Sequence, residues 1–287
     1  MSWNDVSFCP NLSQLTTKKI SNLLIGKLFN GNTSVETLFN NRYEQMRRNC
    51  DQVPYDDNSW NLNGHSRAPK LYNPRSNSPR KAALLEVLKK NLSCSGTIVE
   101  QLLYKENFGL DMPTWMHKGE TASRVMIISQ DPLRRNFAPG KLVLSSPFGF
   151  HSHDYRAIQC QNKTLFALIM LLLENNICVY LTDRRKFFAT DAKQILESDS
   201  AIQAFDRILD EEIRLFNPNL IVTLGNKAAN YFNLKANHVL NVQSVNGRAI
   251  IPSYHTNARF NNLNLNKQVY FNTLRDVIAR KLNIDAN

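Results

Sequence analysis

Four short apolar runs constrain this chain more than anything else in it: Val125-Met126-Ile127-Ile128, Cys178-Val179-Tyr180-Leu181, Leu220-Ile221-Val222-Thr223-Leu224 and Ala249-Ile250-Ile251-Pro252. Each is near-continuous rather than alternating, the pattern of a strand buried on both faces. Amphipathic stretches of helical length separate them. Residues 162–175 carry Leu165, Leu168, Ile169 and Leu172 on one face, and residues 199–216 carry Ile202, Phe205, Ile208, Leu209 and Ile213. Gly225 reads as a tight strand-to-helix turn before a short helix to Phe232, and a last helix is expected over 266–282. Repeated β-α-β order predicts an α/β fold, a mainly parallel central sheet flanked by helices.

In open sheets of this kind, ligands bind beyond the carboxyl ends of the strands. Three of the runs lead into Ser129-Gln130-Asp131-Pro132, Leu181-Thr182-Asp183 and Ser253-Tyr254-His255-Thr256-Asn257. Two carboxylates and an imidazole are thereby expected on one rim.

The part before the alternation is different. Residues 1–50 have helix-like apolar spacing, and 82–108 look helical, with Leu84, Leu85, Leu88 and Leu92 on one face. Residues 51–81 contain Pro54, Pro69, Pro74 and Pro79 among many Asn and Ser, and carry Arg75, Arg80 and Lys81. This stretch reads either as a phosphate-contacting loop or as an exposed linker. We therefore divide the chain into an N-terminal helical extension with a basic Pro-rich loop, 1–118, and an α/β domain, 119–287.

The net charge is +11, shared as +5 over residues 1–118 and +6 over 119–287. Such a surplus favours a polyanionic partner, although a merely basic soluble protein has the same composition. Five cysteines, at 9, 50, 94, 160 and 178, form no C-x-x-C pair. Zinc and iron–sulfur sites are not indicated, and the odd count fits free thiols in a reducing compartment. The longest apolar run, Leu165 to Leu173, is too short to span a bilayer. A cytoplasmic monomer is the expectation.

Taken in order, the rim motifs resemble those of the uracil-DNA glycosylase superfamily. Gln130-Asp131-Pro132 is similar to the family's first active-site motif, and Pro147-Phe148 to the segment that supplies an aromatic platform. Leu181-Thr182-Asp183 resembles the strand end where many members have Thr-Asn. Pro218 to Ala228 is similar to a structural stretch of the family, and His255 stands where members have His-Pro-Ser. The resemblance covers about the C-terminal 170 residues and makes 119–287 a catalytic domain of this type. It implies a monofunctional DNA glycosylase that flips a base from the stack and leaves an abasic site. Asp131 and His255 would carry bond cleavage. Gln130, Leu133, Phe148 and Asp183 would bind the base. Arg75, Arg80, Lys81, Arg134, Arg184 and Arg259 would contact DNA. No metal or organic cofactor is implied, and no lysine stands plainly among the rim motifs for a Schiff-base step.

The departures carry information too. Uracil readers have an Asn amide where this chain has Asp183, and a Tyr where it has Leu133. A carboxylate accepts from a cytosine amino group, and a missing Tyr ring leaves room at C5. Alternatively, Asp183 pairs with Arg184 or Arg185 and reads nothing. Thr256-Asn257 replaces the family's Pro-Ser. Together these features point towards a C5-modified cytosine, such as a glucosylated hydroxymethylcytosine. Bases of that kind occur in phage DNA, which extends the resemblance to glycosylases of bacterial anti-phage defence. A uracil glycosylase of base-excision repair, and a catalytically silent DNA-binding protein on the same fold, are the alternatives.

Overall fold

The computed structural model describes residues 7–8, 14–29, 107–118, 123–130, 132, 141–150, 163–189, 197–256, 258, 260–263 and 265–284. The basic Pro-rich loop with Arg75, Arg80 and Lys81 lies outside the described residues, as do Asp131, Leu133, Arg134 and Arg259.

Among the described residues, ten strands form two sheets. In chain order they are β1 (Ser7–Phe8), β2 (Asn107–Asp111), β3 (Thr114–His117), β4 (Arg124–Ser129), β5 (Lys141–Ser145), β6 (Cys178–Asp183), β7 (Phe187–Ala189), β8 (Leu220–Leu224), β9 (Gln243–Val245) and β10 (Arg248–Ser253). The helices are α1 (Gln14–Phe29), α2 (Lys163–Glu174), α3 (Asp199–Phe216), α4 (Asn226–Ala229) and α5 (Lys267–Leu282). The large sheet has the order β1-β3-β6-β4-β8-β10-β9, and β5-β2-β7 form a small one.

The four apolar runs are the four central strands β6, β4, β8 and β10. Neighbours among them are parallel, and their apolar side chains are almost wholly enclosed. The edges are antiparallel: β3 on β6, β1 on β3, and β9 on β10. The fold is the expected α/β architecture with antiparallel margins. Pro252 is tolerated in β10 because β9 pairs only as far as Ile250. Beyond that point the strand has a neighbour on one side only, where a missing donor does little harm.

One local expectation needs correction. The helix over 82–108 does not extend to its last residues, because Asn107 and Phe108 open β2. After β4 the chain also forms β5 at 141–145, paired in parallel with β2. Residues before 119 also contribute directly to the large sheet, since β3 pairs with β6, and α1 packs on α3.

The helices start and stop where local chemistry directs. Ser198 caps α3 by accepting from the Ala201 N–H at 3.3 Å. Asn217, in the left-handed region at φ 49°, ends it just before Pro218. Asn266 and Asn283 play the same two parts for α5. Asn246-Gly247, at φ 51° and 75°, closes the β9–β10 hairpin.

Cys178 opens β6 in the core. Burial pushes its thiol from an ordinary 9.0 to about 12, with the Arg124 guanidinium opposing in part. The folded value lies above the unfolded one, so the stabilisation is complete below about pH 9 and is lost as pH rises towards 12. Over that window Cys178 contributes a loss of up to about 1.4 kcal/mol per pH unit. Denaturant unfolding at stepped alkaline pH should show a shallower decline for Cys178→Ala than for the parent. Equal slopes would refute the linkage.

Candidate active site

The rim is assembled by backbone hydrogen bonds that run past the strand ends. In the β4–β6 ladder Ser129 lies opposite Asp183. The pairing continues beyond it, with the Arg184 N–H donating to the Ser129 carbonyl at 2.9 Å and the Arg185 N–H to that of Gln130 at 3.2 Å. On the other side, the Gly225 N–H donates to the Ser253 carbonyl at 2.8 Å. The carboxyl ends of β4, β6, β8 and β10 are thus held in one fixed edge.

His255 follows β10. Its Nε2 lies 3.4 Å from the Ser129 hydroxyl, which connects the β10 and β4 segments. Tyr270 of α5 steadies the preceding residue: its hydroxyl accepts from the Tyr254 N–H and donates to the Asn237 carbonyl, each at 2.9 Å. The His255 ring stacks on Phe148, with centroids 5.7 Å apart and planes 26° from parallel. Phe148 sits in the 3-10 turn Pro147–Gly149 at φ 55° and ψ 15°. That left-handed conformation is rare for a bulky side chain and costs on the order of 1–3 kcal/mol. The same turn lies against β6, the strand that ends in Asp183.

Asp183 is only 2% exposed. The guanidiniums beside it are held by other carboxylates. Arg184 grips Asp206 with two bonds of 2.7 Å, donates to the Lys227 carbonyl at 2.6 Å and lies 5.6 Å over the Tyr231 ring. Arg185 reaches Glu197 at 3.3 Å. The guanidinium of Arg184, expected to contact DNA, is held by Asp206 in the bidentate geometry it prefers. Tyr231 also donates to Asp210, and burial together with that bond raises its hydroxyl pKa.

Gly225 makes the predicted turn, and more. Its φ of 94° and ψ of 163° belong to a region essentially restricted to glycine. A Cβ there would stand 2.6 Å from Cδ of Gln130 and 2.8 Å from its Oε1. The carboxamide of Gln130 therefore lies directly on the Gly225 backbone, and β8 takes part in the rim through a residue with no side chain.

Of the residues expected in the site, the structure brings Gln130, Phe148, Asp183 and His255 to one edge and binds the Arg184 guanidinium to Asp206. Gln130 and Pro132 are described on either side of Asp131. Sequence reasoning missed Lys186. It follows the Asp183 segment and is completely buried with Glu212. A basic run, Arg184-Arg185-Lys186, looks exposed in sequence, and nothing near it announces a carboxylate 26 residues away. No group of three or more His, Cys, Asp or Glu that could hold a metal ion occurs among the described residues. No helix among them is long and apolar enough to cross a membrane.

An aromatic face, an imidazole and an enclosed carboxylate thus share one strand edge. The model of the uracil DNA glycosylase superfamily matches residues 116–278, more than half of the chain, and the protein belongs to that superfamily. Its members are typically DNA glycosylases, hydrolases acting on DNA. The sequence matches no individual curated protein.

Gly225→Ala should cost roughly 1–3 kcal/mol, from backbone strain and from the Gln130 contact. Adding Gln130→Ala relieves the contact and leaves the strain. The double variant should therefore be less destabilised than the sum of the two singles, measured by chemical denaturation. Strict additivity would mean that the two residues do not press on each other.

Proposed function

We propose that the protein is a monofunctional DNA glycosylase that excises a C5-modified cytosine, a glucosylated hydroxymethylcytosine being the model substrate. The observation that carries this reading is Asp183, an enclosed carboxylate at the end of β6 beside the Phe148 turn. The neighbouring guanidiniums are bound to Asp206 and Glu197. A base stacked on Phe148 would present its Watson–Crick edge to that carboxylate, and a cytosine amino group donates to it. Uracil offers a carbonyl oxygen at the same place, which a carboxylate repels. Modified cytosines of this kind are the chemistry of phage DNA, and defence against such DNA is the role that follows.

In the proposed reaction the C1′–N1 bond breaks with its electron pair leaving on the base. Water adds to C1′ and gives up a proton, balanced by the proton that the departing base takes up. Asp131, the residue after Gln130, stabilises the sugar cation and orients the water. His255 donates a hydrogen bond to the departing base, with Ser129 3.4 Å from its Nε2 to orient the ring. Removal of either charge-stabilising group should reduce single-turnover excision by about 10²–10³-fold, the usual effect of one preorganised contact. Asp131→Asn and His255→Ala are the variants, with DNA affinity retained. Parental rates in both would remove these residues from the chemistry.

Oligonucleotides carrying uracil, cytosine, hydroxymethylcytosine or its glucosylated form, treated with enzyme and then alkali, test the base. The expected order puts modified cytosine first, and Asp183→Asn should shift preference towards uracil. Leu133→Tyr should penalise bulky C5 groups. Rapid loss of uracil alone would return the protein to uracil repair, and no cleavage of any substrate would favour a silent DNA-binding role.

The surplus of positive charge supports DNA as the substrate. Affinity should fall linearly on a log–log plot against salt. Replacing Arg75, Arg80 and Lys81 by Ala should flatten that slope, and an unchanged slope would take the basic stretch within 51–81 out of the interface.

A further inference from the structure

Lys186 and Glu212 are both fully enclosed, and their Nζ and Oε2 are 2.5 Å apart. The ammonium also donates to the Thr182 hydroxyl at 2.5 Å and to the Asp183 carbonyl at 2.7 Å. Its three N–H bonds are thereby all used, which leaves no amine for covalent chemistry. Glu212 in turn accepts from the Tyr180 hydroxyl at 3.0 Å and from that of Thr182 at 3.3 Å. Three residues of β6 (Tyr180, Thr182 and Asp183), Lys186 beyond its end and Glu212 of α3 share a single saturated network.

The position of Lys186 gives this network a consequence. The chain leaves the large sheet at Asp183 and enters the small sheet at Phe187. Lys186 is the last residue of that crossing. Its own carbonyl accepts from the Asp111 N–H at 2.9 Å, at the end of β2. β2 pairs with β5, and β5 runs directly into the turn that holds Phe148. One residue thus joins the sheet that carries Asp183 to the sheet that carries the aromatic platform. Its side chain grips the first and its main chain the second.

We propose that Lys186 is a positioning residue that sets the distance and angle between the base platform at Phe148 and the base-reading edge at Asp183, with Glu212 as its anchor. The inference rests on the reading of Asp183 given above. A buried ion pair is a poor source of net stability, since desolvation offsets most of the attraction. What a saturated network provides here is a single geometry for the Asp183 peptide. Discrimination between bases depends on such placement, because a misplacement of about 1 Å can cost a hundredfold in rate.

Lys186→Met combined with Glu212→Leu removes the network while filling the space, a replacement that buried pairs often tolerate. The full chain carrying both changes should fold and bind DNA with parental affinity, melting below the parent because the Tyr180 and Thr182 hydroxyls lose their acceptor. Single-turnover excision of the preferred base should fall about 10- to 100-fold, and the ratio of its rate to that of the next base should collapse. Asp183→Asn is measured alongside. A change of preference in Asp183→Asn with rate and ratio unchanged in the double variant overturns the positioning role alone. An equal fall for both bases, with the ratio kept, also overturns it. No effect of Asp183→Asn overturns the base-reading assignment and this inference with it. Should the double variant fail to fold, Glu212→Gln, which keeps the shape and removes the charge, decides by the same ratio.

Discussion

Everything at the rim depends on the parallel register of β4 against β6. Side chains alternate along a strand, so a slip of one residue would turn Asp183 to the other face and bring Thr182 to its place. The register is secured twice. The core residues Ile127 and Leu181 sit opposite one another in an enclosed layer. The ladder then continues past the strand ends through Arg184 to Ser129 and Arg185 to Gln130. The second device matters more for the site. Strand ends usually fray, and here they hold the residues that must not move.

The site sits where apolar packing gives way to polar groups that are expensive to enclose. Ser129, Thr182, Asp183, Lys186, Glu212 and Ser253 are all buried at this end of the sheets. A carboxylate and an ammonium out of water demand partners, and the Lys186 network supplies them. Phe148 and Gly225 add two unusual backbone conformations to the same edge. Local cost concentrated in one place, beneath an otherwise ordinary apolar core, is how a fold holds reactive geometry.

The central architecture was legible because four continuous apolar runs leave few alternatives to a buried parallel sheet. Helix α3 was legible to the residue, its stripe bounded by Ser198 and Asn217. The margins were not. β2 contains a glycine, β3 is four residues with no polar alternation, and β7 is three residues long. Short strands of that kind form because a neighbour is already in place, a condition no local pattern records. Asn246-Gly247 did carry a hairpin signal, and β9 could have been read from it. At the rim, the shared placement of Gln130, Asp183 and His255 followed from their positions at strand ends, and that of Phe148 from motif order. Lys186 was invisible because its meaning lies in Glu212, Asp183 and Asp111 together, a tertiary coincidence of three elements.

The basic run Arg184-Arg185-Lys186 shows why charge in a sequence does not translate directly into a DNA-binding surface. Each cation meets a carboxylate from the 197–212 segment: Asp206, Glu197 and Glu212 in turn. Three positive charges are balanced by three negative ones, and little field escapes from the run towards a phosphate backbone. Its work is mechanical, stitching the crossing between the two sheets to α3 and to the turn before it. The net +11 of the chain must then be expressed by other residues. The ion pairs also fix the crossing in place: a cation held by α3 or by the turn before it cannot swing away without abandoning its carboxylate.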